Sequence, residues 1–495
     1  MKTQNNLLAS ILLTAGIISS PIISFAADSK ELEDLRAQIE ELKQSIKVID
    51  RKGELAEEAA AAKKKETPVV KAGTDGFSLK SADGQNEIKL KALAQIDYRA
   101  FTSDSHDTNN TSGFDFRRIR PIIEGTVYGI YDFKFAPEFG ENKTGTGTAY
   151  AKSTPTTFKG DSGIVDAYVD ARFKPWFQVQ AGKFKPDVGL ERLQGGGNTK
   201  FIERSWVSNS ILPNRDLGLN VHGDFFDKKL HYGVGVYNGV VDGGDNVTSQ
   251  DSNSNKEVAI RLFTTPFKGQ DSFFEGLGFG VAATHADSSG IGNGPSNSNS
   301  VQGLPDTIKT PGQQAALIRY NSGAYATGTK NRFTPQAYYY NGPFGLLAEY
   351  GESNFNVSNS SGAITDAKID AWHITGSWIL TGENASFGAV KPKNVFNSDG
   401  DGWGAWEVVA RYQEINVDNK LFTRSNTWLD NSYRQSKSAQ AWGLGVNWYL
   451  NNNIKIAADY EDTSFELGNA TGTDGGATGD RPNERALFTR LQLSY

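Results

Sequence analysis

From about residue 85 to the end of the chain, apolar and polar side chains alternate one for one in segment after segment. A period of two puts successive side chains on opposite faces of an extended strand, so each segment has one oily face and one polar face. Lys89 to Phe101 sets Leu90, Ala92, Ala94, Ile96, Tyr98 and Ala100 on one side and Lys89, Lys91, Gln95, Asp97 and Arg99 mostly on the other. The same grammar recurs over 131–139, 165–173, 442–450 and 454–460. A soluble sandwich alternates too, but it needs fewer strands. Here about sixteen such segments follow one another, many near ~10 residues, the length of a tilted strand that crosses a bilayer. The gaps between them are tight turns, as at 128–130, 227–229 and 451–453, or long loops rich in Gly, Ser, Asn and Asp, as at 102–113, 141–160, 239–256 and 468–481. Short turns on one rim and long loops on the other are the habit of an outer-membrane barrel. The expectation is an all-β fold, a transmembrane antiparallel β-barrel of about 16 strands over residues 85–495. Gln314 to Tyr320 is a candidate extra strand, assigned to a loop because bacterial barrels close with an even number.

The two ends of the chain agree with export to that membrane. Met1 to Ala26 carries Lys2, an apolar stretch from Leu7 to Ile23 broken by Pro21, and small residues at Ser24 and Ala26. This reads as a secretory signal peptide over 1–26. No other run approaches the ~20 apolar residues of a membrane-spanning helix. The chain has no Cys, which excludes disulfide scaffolds, thiolate metal sites and cysteine nucleophiles. At the other end Leu487, Thr489, Leu491, Leu493 and Tyr495 alternate with Phe488, Arg490, Gln492 and Ser494. A last strand ending on an aromatic resembles the C-terminal insertion signal of outer-membrane barrels. Between leader and barrel, Leu32, Leu35, Ile39, Leu42, Ile46 and Ile49 are spaced 3, 4, 3, 4, 3, an a/d seam that predicts a short coiled-coil helix over 27–52. A single solvated helix is the competing reading. Residues 53–84, with an Ala run, Lys63-Lys64-Lys65 and Pro68, read as a linker.

If lipid covers the apolar face, the activity sits on the polar inward face. The formal charge of the chain is −6, which selects no partner, but the charge is unevenly spread. Residues 114–216 hold 15 basic and 12 acidic side chains. On the strand that Asp115-Phe116-Arg117-Arg118-Ile119-Arg120 opens, Arg118, Arg120 and Glu124 share the inward parity, and Arg117 lies at the strand entrance where parity is loose. Residues 183–215 are rich in Lys and Arg, contain Gly195-Gly196-Gly197, and are too polar to cross lipid. Such a stretch folds inward and narrows a pore. Cations in a narrow, partly dehydrated passage favour anions. The alternative is that these side chains pair with Asp115, Glu124, Asp166 and Glu191 as a solvated lumen wall.

Several motifs carry a family resemblance. Phe116-Arg117-Arg118, Val165-Asp166-Ala167, Gly182-Lys183-Phe184 followed by Gly189-Leu190-Glu191-Arg192, and Ile202-Glu203-Arg204 resemble the phosphate-selective porin O and P family in order and spacing. So do Leu380-Thr381-Gly382-Glu383 with Lys391-Pro392, Gly404-Ala405-Trp406-Glu407 with Arg411-Tyr412, and Leu444-Gly445-Val446-Asn447-Trp448-Tyr449. The resemblance implies a homotrimer of sixteen-stranded barrels in the cell outer membrane, with pores narrowed by inward loops. It makes Arg117 and Arg118 constriction arginines, Arg192 the matched position of a central pore lysine, Arg204 another pore cation, Asp166 the acidic member of that site and Lys391 a lysine near the constriction. Arg at 192 keeps the charge but changes geometry and hydration. The arginine ladder of phosphate-selective members has no counterpart over 304–314, which offers only Lys309.

An enzyme reading finds little to stand on. The five histidines, at 106, 222, 231, 285 and 373, form no HExxH motif, and no GxSxG elbow is present. The expected function is a water-filled, anion-preferring channel for passive uptake of phosphate or other small anions. Its pore is set by Arg117, Arg118, Arg120, Asp166, Arg192, Arg204 and Lys391, with outer-membrane lipid as its surroundings. No cofactor, metal or nucleic acid is expected. The competing readings are a non-specific diffusion porin and a structural or adhesin barrel.

Overall fold

The computed structural model describes residues 29–73, 76–102, 110, 112–140, 163–245, 255–287, 303–304, 307–321, 323–422, 428–430, 435–468 and 481–495. The expected leader at 1–26, His106 and much of the loops at 102–113, 141–160, 239–256 and 468–481 lie outside them. The chain divides into one unit over residues 1–67 and a second over 68–495.

The first unit contains one helix, α1 (Ser29–Glu66). It runs well past residue 52, so the stretch expected to be a linker over 53–84 is helical over 53–66. The reason is local: the Ala, Glu and Lys residues of this stretch are strong helix formers. Pro68 then disfavours helical backbone at Thr67 and ends the run. The seam residues Leu32, Leu35, Ile39, Leu42, Ile46 and Ile49 are all exposed along α1.

The second unit opens with a hairpin of β1 (Val69–Gly73) and β2 (Gly76–Lys80), again within the expected linker. The barrel strands then begin: β3 (Glu87–Phe101), β4 (Gly113–Val127), β5 (Tyr131–Glu138), β6 (Gly163–Lys174), β7 (Phe177–Phe184), β8 (Asp216–Phe225), β9 (Leu230–Tyr237), β10 (Glu257–Thr264) and β11 (Leu277–Asp287). Two short strands, β12 (Thr307–Lys309) and β13 (Ala316–Arg319), pair only with each other. Seven more barrel strands follow: β14 (Tyr325–Asn341), β15 (Phe344–Ser358), β16 (Ile364–Ile379), β17 (Ala405–Val417), β18 (Ser436–Tyr449), β19 (Ile454–Leu467) and β20 (Glu484–Ser494). Each barrel strand pairs antiparallel with the next, and β20 returns to β3 in a register from Ala486↔Phe101 to Ser494↔Leu93. The sheet is a closed antiparallel barrel of sixteen strands. The candidate extra strand at 314–320 is β13, inside a loop and outside the barrel sheet.

The burial pattern is that of a protein turned inside out. On β3 the apolar Leu90 and Ile96 are 44% and 39% exposed, whereas the polar Gln95 and Asp97 between and beside them are fully buried. Lipid covers the first set and the barrel interior receives the second. At the short-turn rim, aromatic pairs ring the outside: Trp176 with Phe225, Phe225 with Tyr232, Phe344 with Trp378, and Trp406 with Trp448. Such girdles mark the membrane–water boundary, where an amphipathic ring is at home. The turns there are tight where polar side chains close them; the Asn451 side-chain oxygen accepts the amides of Asn453 and Ile454. One connection breaks the pattern: residues 380–404 join β16 to β17 on this rim and form a long excursion.

The β1–β2 hairpin repairs an edge. The last strand stops opposite Leu93, with Tyr495 and Ala92 exchanging backbone hydrogen bonds. Below that point β3 would have an open flank, and β2 takes it through Phe77↔Leu90 to Lys80↔Glu87.

Because its outward face meets lipid, Leu444 in β18 is a direct probe. Leu444→Arg is expected to destabilise the barrel by about 2–4 kcal/mol in reversible urea unfolding from lipid vesicles. A cost near zero would mean that this face is not lipid-covered.

Candidate functional site

Residues 185–215, between β7 and β8, do not project from the rim. Val188, Leu190, Phe201, Ile202, Trp206, Val207, Ile211 and Leu212 are each 3% exposed or less. Val188, Trp206, Val207, Ile211 and Leu212 meet a second inserted stretch carrying Leu304, Ile308, Leu317 and Ile318, and wall residues such as Phe355, Ile369 and Ile415, in one apolar cluster, while Ile202 packs with Phe488 and Leu190 with Phe263 and Leu347. Close approach is built in at Gly189, where a Cβ would stand 2.8 Å from a Leu212 methyl carbon.

A loop inside a barrel must satisfy its backbone there, and the polar wall does this. The Glu349 carboxylate accepts the amides of Leu190 and Glu191, at the start of the short helix α2 (Leu190–Leu193). Asp459 accepts the Ile202 amide and Gln413 the Trp206 amide. Arg490 donates to the Ile202 carbonyl, Arg411 to the Glu203 carbonyl, and Lys200 reaches out to Glu407 at 2.7 Å. Glu191, Glu349 and His373 bring ligand atoms within 4.8 Å of one another. Their oxygens are committed elsewhere: Glu349 to the two amides, and Glu191 Oε2 to the Ser205 amide and hydroxyl. The Arg411 guanidinium also stands 3.8 Å from Glu191. This trio anchors the loop.

The expected pore cations fall into two groups. In the first, Arg117 Nε lies 2.8 Å from Glu203 and Arg120 Nε 2.5 Å from Glu138. In the second, no carboxylate pairs among the described residues. Arg118 Nη1 donates to the Gln95 side-chain oxygen at 2.6 Å. Arg192 donates to the Ser208 carbonyl and to Asn209 Oδ1, and its Nε has no partner. Arg204 donates to the carbonyls of Glu191 and Gln194. Asp166 faces neither Arg192 nor Arg204; it binds Arg215 Nε at 2.8 Å and Lys134 at 3.2 Å.

Both Arg117 and Arg118 reach the interior because of a local irregularity. The β3–β4 register passes from Gln95↔Arg118 to Ile96↔Phe116, so Arg117 is the extra residue of a β-bulge. A bulge resets the alternation by one and lets two consecutive side chains face the same way.

Sequence reasoning passed over Lys185. Its Nζ and Arg204 Nη2 converge on one carbonyl, that of Gln194, at 2.7 and 2.8 Å. The clue was its place one residue after the strand of Gly182-Lys183-Phe184. The partners Glu203, Glu138, Gln95 and Arg215 were also missed as site residues, since nothing in their spacing tells a clamp from a wall. Lys391 lies in the 380–404 excursion, whose Phe387 carbonyl accepts a hydrogen bond from Gln194. That contact brings the excursion to the loop. Lys391 itself is exposed, and no hydrogen bond or ion pair joins it to the arginines among the described residues.

The electrostatics of the loop follow from this partition. Burial, with Arg204, Arg215 and Arg192 nearby, drives the Lys185 amine well below its ordinary value. Burial and Arg192 bring Arg204 down to about 9. Burial lowers Arg192 to about 10, with Asp245 opposing the shift. Burial works the other way on Glu203 but is outweighed by Arg117 and Arg99, which hold it well below the carboxylate range. For Glu191, His373, Arg411 and the Ser205 hydroxyl likewise overcome burial and hold it at about 2. Among the described residues the interior is thus a set of clamped ion pairs surrounding Arg118, Arg192 and Arg204, which donate only to neutral oxygens.

Known proteins resemble this chain in sequence and in backbone. A sequence model described as phosphate-selective porin O and P matches residues 88–495. Porin O of Pseudomonas aeruginosa is 25% identical over 449 residues, covering 85% of this chain and 91% of that protein. Among solved structures, the outer membrane channel DcaP of Acinetobacter baumannii is similar with a TM-score of 0.49 at 10% identity, over 84% of this chain and 99% of that one. The anion-selective porin from Comamonas acidovorans gives 0.46 at 12% identity, over 83% and 100%.

The depressed carboxylates set the acid limit of the loop. A carboxylate lowered on folding contributes stability that is present above its unfolded value, about 4.3, and is lost as pH falls through the folded value. With Glu191 at about 2, single-channel current noise is expected to stay low down to about pH 4 and to rise between about pH 4 and 2. A rise already complete by about pH 5 would show that other groups hold the loop.

Proposed function

The chain belongs to the phosphate-selective porin O and P family, an outer-membrane β-barrel channel rather than an enzyme, and on that premise we propose that it passes small anions, phosphate among them, through a constriction of Arg118, Arg192 and Arg204. The observation that carries this reading is the partnering of those three cations. They are buried, and among the described residues each donates only to neutral oxygens. Exposed cations need no partner, but a cation held away from bulk water loses hydration that an anion restores. At an effective dielectric of ~20, a pair at ~4 Å gains about 4 kcal/mol before desolvation. The buried Arg192 Nε has no hydrogen-bond partner of its own, and guanidinium edges suit phosphate and carboxylate oxygens. Several modest sites also allow release, which a single deep one prevents.

Arg117 and Arg120 play a different part in this reading. Arg117 pairs with the Glu203 that Arg99 also uses, and Arg120 with Glu138, so they shape the passage and hold the loop. The filled interior argues against a wide non-specific pore: two inserted stretches meet in an apolar cluster across the lumen. A signal peptide at 1–26 and a homotrimer complete the proposal, the latter supported by the exposed apolar seam of α1. Chemical cross-linking of the full-length protein in membranes tests it; a ladder ending at the dimer would exclude the trimer.

Planar-bilayer recording tests the channel reading. In a potassium chloride gradient the reversal potential should show chloride preference, and R118Q/R192Q/R204Q should reduce that preference about tenfold. Inorganic phosphate should inhibit the chloride current of the unaltered protein. Equal chloride preference in the triple variant would move the filter elsewhere, and cation preference in the unaltered protein would end the reading.

A further inference from the structure

Arg204, one of the three arginines of the proposed constriction, turns one edge of its guanidinium to the end of α2. Its Nε donates to the Glu191 carbonyl at 3.3 Å and its Nη2 to the Gln194 carbonyl at 2.8 Å. Among the described residues no hydrogen bond leaves Nη1. Because a guanidinium is planar and rigid, two carbonyls that hold one edge decide where the other edge points.

The two carbonyls are not equally fixed. That of Glu191 belongs to α2, whose first amides are held by Glu349. Gln194 lies just past the helix, with ψ at 138°, outside the helical range. It is followed by Gly195-Gly196-Gly197, and glycines restrain the backbone least. The next fixed points are the carbonyls of Gly196 and Gly197, which accept from Gln95 and Gln492. Gln194 is 3% exposed, and its side-chain Nε2 donates to the Phe387 carbonyl at 2.9 Å. Phe387 belongs to the 380–404 excursion, its ring 5.7 Å from Tyr338 and packed on the cluster of Leu190, Phe263 and Leu347. On either side of it the Ala385 amide donates to the Gly342 carbonyl and the Lys393 amide to the Glu383 carboxylate. The excursion is thus held at several points, and the Gln194 side chain ties the end of α2 to it.

We propose that Gln194 is a positioning residue for anion selection: its side-chain amide, held by the Phe387 carbonyl, fixes the backbone carbonyl that aims Arg204. The inference rests on the constriction reading above and adds the part that orients one of its arginines. A group that selects ions works only when a supporting shell holds its direction. Lys185 donates to the same carbonyl at 2.7 Å, but burial drives its amine well below its ordinary value. The charge that Gln194 directs is therefore that of Arg204.

The test uses the full-length channel in planar bilayers with a potassium chloride gradient. Gln194→Met keeps the length and bulk of the side chain and removes its donor. It should lower the chloride-to-potassium permeability ratio about threefold, the effect of one lost hydrogen bond. R204Q alone should lower the ratio too, and adding Q194M to R204Q should lower it no further, since residues that act through one group are not additive. An unchanged ratio in Q194M overturns the proposal. So does an equal drop when Q194M is added to R204Q, because a variant that only loosens the loop would act in both backgrounds. If Q194M does not insert, Phe387→Ala decides, since it removes the packing that holds the same carbonyl. It must lower the ratio in the unaltered background and leave it unchanged in R204Q, and failure of either is equally fatal. The two readings part at R204Q. A lowered ratio there with no response to Q194M removes only the role of Gln194. No response to R204Q removes Arg204 from the constriction, and this inference with it.

Discussion

Backbone pairing in hydrocarbon governs everything else in this molecule. An N–H or C=O left open in lipid costs several kcal/mol, so strands that cross a bilayer must close on themselves. Here β20 closes on β3, and where it ends at Ser494 the β2 strand takes over the remaining flank of β3. Closure then fixes the direction of every side chain. With apolar residues committed to lipid, the alternate residues have nowhere to go but inward, and the chain acquires a polar interior as a by-product of its exterior.

That interior is a binding surface for the protein's own loop before it is anything else. Residues 185–215 enter with unpaired amides and carbonyls, and the wall meets them with Glu349, Asp459, Gln413, Arg411 and Arg490. The apolar side of the loop finds a partner in the stretch around Leu317 and Ile318. Each layer therefore resolves a demand created by the one outside it. What remains at the centre is a group of arginines, Arg118, Arg192 and Arg204, that pair with no carboxylate among the described residues. Glu203 illustrates the accounting: its single carboxylate is shared between Arg99 and Arg117, while Arg118 donates to the Gln95 oxygen.

The barrel was legible in the sequence because a period of two is a local signal, repeated sixteen times. Strand parity also placed Arg118 and Arg120 correctly on the inner face. Parity failed at Arg117, where a bulge inserts one residue, and a bulge depends on what the neighbouring strand requires. The site was only half legible for a related reason. Spacing reveals which residues face inward, but ion pairing joins positions far apart in the chain, as Arg117 with Glu203 or Arg490 with Asp97. Of the two readings left open for the cations, the wall reading describes Arg117 and Arg120, which pair with Glu203 and Glu138; the filter reading is the one proposed for Arg118, Arg192 and Arg204. The helical stretch beyond residue 52 was missed for the opposite reason: its heptad seam had faded while its helix propensity had not.

The choice of arginine over lysine at position 192 has a physical consequence inside such a crowded interior. An amine loses its proton readily when buried among other cations, as the strong depression at Lys185 shows. A guanidinium begins higher and spreads its charge, so under similar burial Arg192 falls only to about 10 and Arg204 to about 9, still charged at neutral pH. One terminal nitrogen of Arg192 holds the π-helical turn Val207–Ile211 through Ser208 and its neighbour Asn209. Arginine at this position therefore fixes the loop through one edge of a planar group and still carries its charge at neutral pH, which a lysine under the same burial would hold less firmly.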